Sequence, residues 1–309
     1  MRFRFRPFVM GLLAVLFVAT GTAASSADWR DDVKVLRVGF LAGANASYRA
    51  SQMEPFRAYL EAKLGLPVEL VPALNYAALI DAQSGARIQY AIYSAASFAT
   101  ANALCHCIEP LAVPTAADGA EGFYSILVAR ADGPIRSLAD AKGARLALGA
   151  EDSVAGRLVP MKAFAREGIA PPEYFSAILD KSDPKAAIAA LLSGEANLAV
   201  GWSSMTGDFA TGYSAGVLTE MVADADLTMD EVRVVWQSPL IPFGPHAVRS
   251  DLPEELRSLL KAALLAMAVE NPEALDAVDR AGGGGFVAAD AALYAGIADL
   301  VAAPPAAGQ

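Results

Sequence analysis

The sequence predicts an α/β protein folded as two lobes, and three observations predict it. Apolar stretches of strand length alternate with stretches of helical period, which is how βαβ units read. The alternation restarts near residue 125 after one complete round. The chain has 309 residues, 55% of them hydrophobic, which exceeds one ordinary domain and suffices to fill two cores.

The first element is a leader. Arg2, Arg4 and Arg6 give a basic start, an apolar run follows from Phe8 to Ala19, and small residues lead to Ala27. This predicts a secretory signal peptide over 1–27, cleaved after Ala24 or Ala27, and a protein exported to a periplasm. A spanning helix needs about 20 apolar residues, and this run lacks polar flanks on its far side, which argues against the competing reading of an uncleaved anchor. The only cysteines, Cys105 and Cys107, lie far downstream, so no lipid attachment is expected.

Strand one is read at Val35 to Phe40 and ended by the loop residues Leu41 to Asn45. Met53, Phe56, Leu60 and Leu64 recur at helical steps, with Pro55 near the start and Gly65 at the end. Val68 to Val71 is the second strand, Tyr76 to Gln83 the second helix and Ile88 to Tyr93 the third strand. The second round runs through strands at Ser125 to Arg130, Arg145 to Gly149 and Leu198 to Val200. Its helices are Ser137 to Lys142, Gly156 to Glu167 and Lys185 to Leu192. Val232 to Trp236 is a later strand, Pro239, Pro242 and Pro245 stiffen a connection, and Pro253 opens a helical C-terminal stretch. A largely parallel sheet is expected in each lobe. Gly282 to Gly285 reads as loop, and 302–309 as a flexible tail. The expected division is 33–124 plus 236–301 for lobe one and 125–235 for lobe two.

Charge narrows the partners. The chain carries −10, and losing Arg2, Arg4 and Arg6 with the leader takes it to −13. Such a surface repels nucleic acid and anionic lipid. Cys105-His106-Cys107 is too short a spacing for an unstrained disulfide and offers too few ligands for zinc, so a structural or incidental role is expected. No metal and no cofactor are expected.

The strongest local sign of ligand capture is Glu151-Asp152-Ser153-Val154-Ala155-Gly156, which follows a strand and opens a helix. Helix starts present unpaired N–H groups and partial positive charge, so an oxyanion fits there. Simple capping by Asp152 or Ser153 is the competing reading. Tyr76, Tyr93 and Ser94 stand at strand ends of the first round, where open α/β sheets bind ligands. Phe123 and Tyr124 lie where the chain crosses between lobes, and Trp202, Ser203 and Ser204 follow a strand of the second. Plain packing is the alternative for each aromatic. No G-x-S-x-G, Walker loop, G-x-G-x-x-G or H-E-x-x-H occurs, and two histidines leave little general-base capacity, so no enzyme is expected.

Four segments resemble the phosphate/phosphite/phosphonate-binding proteins of ABC transporters, the phosphonate-binding periplasmic type. Asn75-Tyr76-Ala77-Ala78-Leu79-Ile80 resembles that family's D-Y-A-x-x-I. Glu121-Gly122-Phe123-Tyr124-Ser125-Ile126-Leu127-Val128 resembles its P-G-Y-x-S-V-x-V. Asp152 to Gly156 stands where the family has S-T-S-G, and Val235 to Pro242 is close to its V-I-W-K-S-P-x-I-P. The resemblance spans about Leu36 to about Leu264. It implies a type II periplasmic binding fold with a hinge and a central ligand cleft, a small-molecule ligand, and delivery to a membrane permease with its ATPase. A monomer is expected.

The same resemblance implies an altered pocket. Tyr76 and Ser153 match family binding residues, whereas Phe123 replaces a tyrosine, Val154 a threonine, and Pro184 falls at a histidine. The acids that hold an aminoalkyl tail align with Ser204 and Gly244. Each lost charge-assisted bond is worth about 1.5–3 kcal/mol, so an aminoalkylphosphonate is disfavoured unless Tyr48, Tyr93, Ser94, Tyr124, Ser203 or Ser204 compensates. A smaller oxyanion or a less charged ligand held among aromatics is the expectation. A sensor that reports its ligand to a membrane receptor is the alternative to uptake, and an exported enzyme is the third.

Overall fold

The structure is a computed structural model that describes residues 28–151, 153–279 and 283–301. The expected leader 1–27, the tail 302–309, Asp152 and Gly282 lie outside the described residues. The chain lays down β1 (Leu36–Leu41), β2 (Val68–Ala73), β3 (Tyr90–Ile92) and β4 (Ile108–Ala116). It then builds β5 (Gly122–Arg130), β6 (Arg145–Leu148), β7 (Ala177–Asp180), β8 (Leu198–Ser203), β9 (Val232–Gln237) and β10 (Ile241–Pro242). It returns with β11 (His246–Arg249) and β12 (Gly283–Ala288).

Two six-stranded sheets result. The first has the order β12-β4-β11-β3-β1-β2; the second has β10-β5-β8-β6-β7, with β9 also paired to β5. Each is mixed, which corrects the expectation of largely parallel sheets. β1, β2 and β3 are parallel to one another, as are β6, β7 and β8, but the strands nearest the crossings run antiparallel. The reason is topological: the returning β11 enters the first sheet between β3 and β4 from the opposite end. The expected change-overs at 124 and 235 fall inside β5 and β9, both in the second sheet.

Helical period and β-branched runs explain most of these elements. The helix Glu54–Leu64 places Phe56, Leu60 and Leu64 on one face against Leu36 and Val38 of β1, with Leu256 and Leu260 of the helix Glu254–Glu270 in the same core. Full burial of each such side chain contributes about 1.5–3 kcal/mol. In the second lobe, Ile188 and Leu191 of the helix Pro184–Leu192 pack with Ile126, Val128 and Ala199.

β12 corrects the reading of Gly283 to Gly285 as loop. A Cβ on Gly284 would stand 1.9 Å from the Ala116 carbonyl oxygen, and Gly285 has φ +88, so only glycine lets this edge strand lie against β4. The register shift between Gly283 and Gly285 is the bulge that results.

His246 opens β11 inside the first core. Its Nδ1 lies 2.5 Å from the Tyr90 hydroxyl, and the rings of Phe56, Tyr90 and Phe286 enclose it at 6.0, 5.8 and 4.6 Å. Burial pushes its pKa down to about 3, so it is a neutral core residue.

Candidate ligand-binding cleft

Because β6, β7 and β8 are parallel, their carboxyl ends share one edge of the second lobe, and β1, β2 and β3 do the same on the first. After β6 the chain turns at Gly149 and enters a short wide turn of helix, Val154–Leu158, that continues as Val159–Arg166. Ser153 caps it, its Oγ accepting from the Gly156 amide at 3.0 Å. The Ser125 hydroxyl donates to the Ala155 carbonyl at 2.7 Å and ties this turn to β5. The Val154 and Ala155 amides, first in the helix, have no acceptor within it.

Val154 and Ala155 are half-buried and pack on one apolar cluster together with Tyr76, Tyr93, Phe123, Leu79 and Phe98. Residues of both lobes therefore meet at this seam, and Val159 of the second lobe is buried in it at 1% exposure. Asn75 caps the helix Tyr76–Ser84 by accepting from the Ala78 amide, which fixes Tyr76 at its first position. Tyr76 is half-buried. Tyr93 is only 4% exposed, its hydroxyl has no hydrogen-bond partner, and burial pushes its pKa well above the ordinary phenol range.

The other predicted residues have local duties. Ser94 forms a capping box with Ser97 at the start of the helix Ala95–Cys105. Phe123 meets Trp202 edge-on at 5.7 Å and Phe243 at 5.9 Å, and all three rings are half-buried. Tyr124 stands opposite Ser203 in the β5–β8 register and packs on the second-lobe core. Ser203 is fully buried and its Oγ accepts from the Met205 amide at 3.0 Å. Ser204, also buried, shares a hydrogen bond of 2.8 Å with Ser214. Tyr48 is exposed and its hydroxyl accepts from Gln52.

A cavity of about 290 Å³ beside Trp202 is lined by Asp183, Pro184, Lys185, Val217 and Glu220, on the same edge of the second lobe. A larger one, about 470 Å³, at Lys34, Arg37 and Gln89, lies at the opposite ends of β1 and β3. Among the described residues, no cluster of three or more His, Cys, Asp or Glu is placed to hold a metal ion.

Sequence reasoning missed two features. Asp118, in the turn between β4 and β5, accepts hydrogen bonds from the hydroxyls of Thr206 and Ser214. Asp118-Gly119 reads locally as a turn and nothing more. Cys105 and Cys107 form a disulfide, a structural role of the kind expected, although the C-x-C spacing reads as too short for one. His106 adopts φ 48 at the helix end, which brings the two Cα atoms to 5.0 Å, inside the span a disulfide bridges.

A family model described as the periplasmic substrate-binding protein of phosphonate ABC transporters matches residues 38–294. The phosphonates-binding periplasmic protein of Escherichia coli is 30% identical over 238 residues, covering 75% of this chain and 66% of that protein. A phosphate-import protein of Mycolicibacterium smegmatis is 25% identical, covering 70% and 67%. The chain thus spans about two thirds of the length of these relatives. PhnD1 of Prochlorococcus marinus, solved with methylphosphonate, superimposes with a TM-score of 0.53 at 19% identity, covering 86% of this chain and 97% of that one. The two-lobed architecture is the type II periplasmic binding fold.

Proposed function

Because this chain belongs to the family of periplasmic substrate-binding proteins of phosphonate ABC transporters, we propose that it captures a phosphonate- or phosphate-like oxyanion between its lobes. It hands that ligand to an inner-membrane permease with its ATPase, acts in the periplasm as a monomer, and performs no chemistry on what it carries. We place lobe two at 122–242, the length of chain that forms the second sheet, and lobe one in the segments on either side of it, with the swivel in the crossings just before β5 and just after β10.

The observation that carries the reading is the seam itself. Helix-mouth amides at Val154 and Ala155 belong to the second lobe, Tyr76 and Tyr93 to the first, and all four pack on one cluster. The Tyr93 hydroxyl there is buried without a partner. Such a group costs about 1–3 kcal/mol, and an anionic oxygen that accepts its proton recovers that energy. The amides supply the positive end of a helix, and only the closed form offers donors from both sides.

Thermal unfolding in the presence of phosphate, phosphite, methylphosphonate, aminoethylphosphonate and sulfate tests this. A true ligand at a hundred times its dissociation constant adds about 2.7 kcal/mol of stability. Methylphosphonate, phosphite or phosphate is expected to give the shift, aminoethylphosphonate less, and Tyr93→Phe and Tyr76→Phe are expected to reduce it. A shift that both variants retain in full would refute the assignment of these hydroxyls, and a panel with no shift would refute the ligand class.

A further inference from the structure

Asp118 sits in a five-residue connection, between the last residue of β4 in the first sheet and the first of β5 in the second. Its turn is anchored to the first lobe: the Ala116 amide donates to the Ala120 carbonyl at 2.9 Å, and Ala116 is paired with Gly283 of β12. Thr206 and Ser214 are anchored to the second lobe. The Ser214 amide donates to the Thr206 carbonyl, the Ser204 amide donates to the Ala215 carbonyl, and Ser203 bridges to Gly216. Both hydroxyls point their protons at the same carboxylate oxygen, Oδ2, while Oδ1 accepts from the Ala120 amide at 3.0 Å. With both protons on Oδ2, the Thr206 and Ser214 oxygens lie 2.9 Å apart as neighbours, and the Ser204 hydroxyl donates to Ser214 at 2.8 Å.

We propose that Asp118 is an interlobe clasp: a carboxylate fixed to the first lobe that holds the Thr206–Ser214 loop of the second and so favours the closed clamp without touching the ligand. Hydrogen bonds to an ionised acceptor are about twice as strong as neutral ones. These two exist only at one relative placement of the two sheets. All three residues are exposed, so opening the lobes exchanges both bonds for bonds to water, and the clasp biases an equilibrium rather than locking it. The ligand-binding affinity of a clamp scales with the fraction of molecules able to close, so Asp118 acts as a positioning residue for whatever the cleft holds. The inference rests on the two-lobed fold and not on the identity of the ligand.

The distance between spin labels at Leu74→Cys and Ser182→Cys, one on the rim of each lobe, reads closure directly, since the native cysteines are joined to each other. With no ligand added, Asp118→Ala is expected to enlarge the long-distance population about fivefold, and the pair Thr206→Val with Ser214→Ala to do the same. All three changes together are expected to add nothing to either, because they remove one interaction. Asp118→Asn, which keeps an acceptor oxygen, is expected to fall between. Unchanged distances in Asp118→Ala overturn the clasp. So do effects of the two sides that add, since Asp118 would then act only on its own turn. Phosphate and methylphosphonate titrations run alongside read the cleft separately: no binding by either probe with a distance shift intact retires the oxyanion reading and leaves the clasp standing.

Discussion

On the second lobe the hydroxyls around the helix mouth, those of Ser125, Ser153, Ser203 and Ser204, all have protein partners, whereas on the first lobe the Tyr93 hydroxyl has none. The two walls therefore carry different kinds of recognition. The second offers backbone amides whose geometry is set by satisfied side chains and survives most substitutions. The first offers a phenol that the fold leaves without a partner. The difference teaches that a polar residue at a strand end is only a candidate until its hydrogen bonds are traced, because the residues most readily picked from sequence are often the ones already paired.

Acid tests the foundations of the first wall. The His246 ring folds neutral with its pKa near 3, against 6.5 for the free side chain. The unfolded chain binds this proton first, so the stability it contributes is whole above pH 6.5 and is lost as pH falls toward 3. The expected slope is about 1.4 kcal/mol per pH unit in that window. Urea denaturation at stepped pH checks it, and His246→Gln should flatten the slope. If the wild-type slope is flat, the buried-histidine account fails.

Gly244→Ala strikes the same wall from the loop that covers it. A Cβ there would stand 1.8 Å from the Tyr93 carbonyl oxygen, which is backbone and has little freedom to move. A loss of about 3 kcal/mol, read by calorimetry, is expected.

The sharpest contrast is between two single-atom changes. Tyr93→Phe should raise the stability of the ligand-free protein by about 1 kcal/mol, or roughly 2–4 °C, while weakening oxyanion binding about tenfold. Ser153→Ala should do the reverse: a loss of about 1 kcal/mol of stability through the missing cap, with a smaller change in affinity. Calorimetric melting and titration of both variants would break the comparison if Ser153→Ala abolished binding at unchanged stability.

Much of the fold was legible because its signals are local. The step of Phe56, Leu60 and Leu64 and the stretch from Tyr76 to Gln83 mark two helices of the first lobe, which the structure places at Glu54–Leu64 and Tyr76–Ser84. β11 and β12 were not legible, for opposite reasons. His246 to Arg249 is too short and follows too many prolines to read as a strand, and β12 starts with glycines that local propensity assigns to loops. The first is a strand because two neighbours claim its edges; the second because Ala116 leaves no room for a Cβ. In the site, strand ends pointed to Tyr76, Tyr93 and the helix mouth. The partners of Ser94, Ser203 and Ser204 come from their own turns, and Asp118 gains its role from residues about 90 positions away, which no window of sequence contains.

The insertion of β11 between β3 and β4 also governs how the molecule can be made. Residues 122–242 form their sheet from one unbroken length of chain, but the other sheet stays split into two separate pieces until residue 249 is available. A polypeptide emerging amino end first can therefore complete its middle portion while its beginning waits for its end. A chain built this way delays the assembly of the core around Phe56, Tyr90 and His246 until most of its length is available.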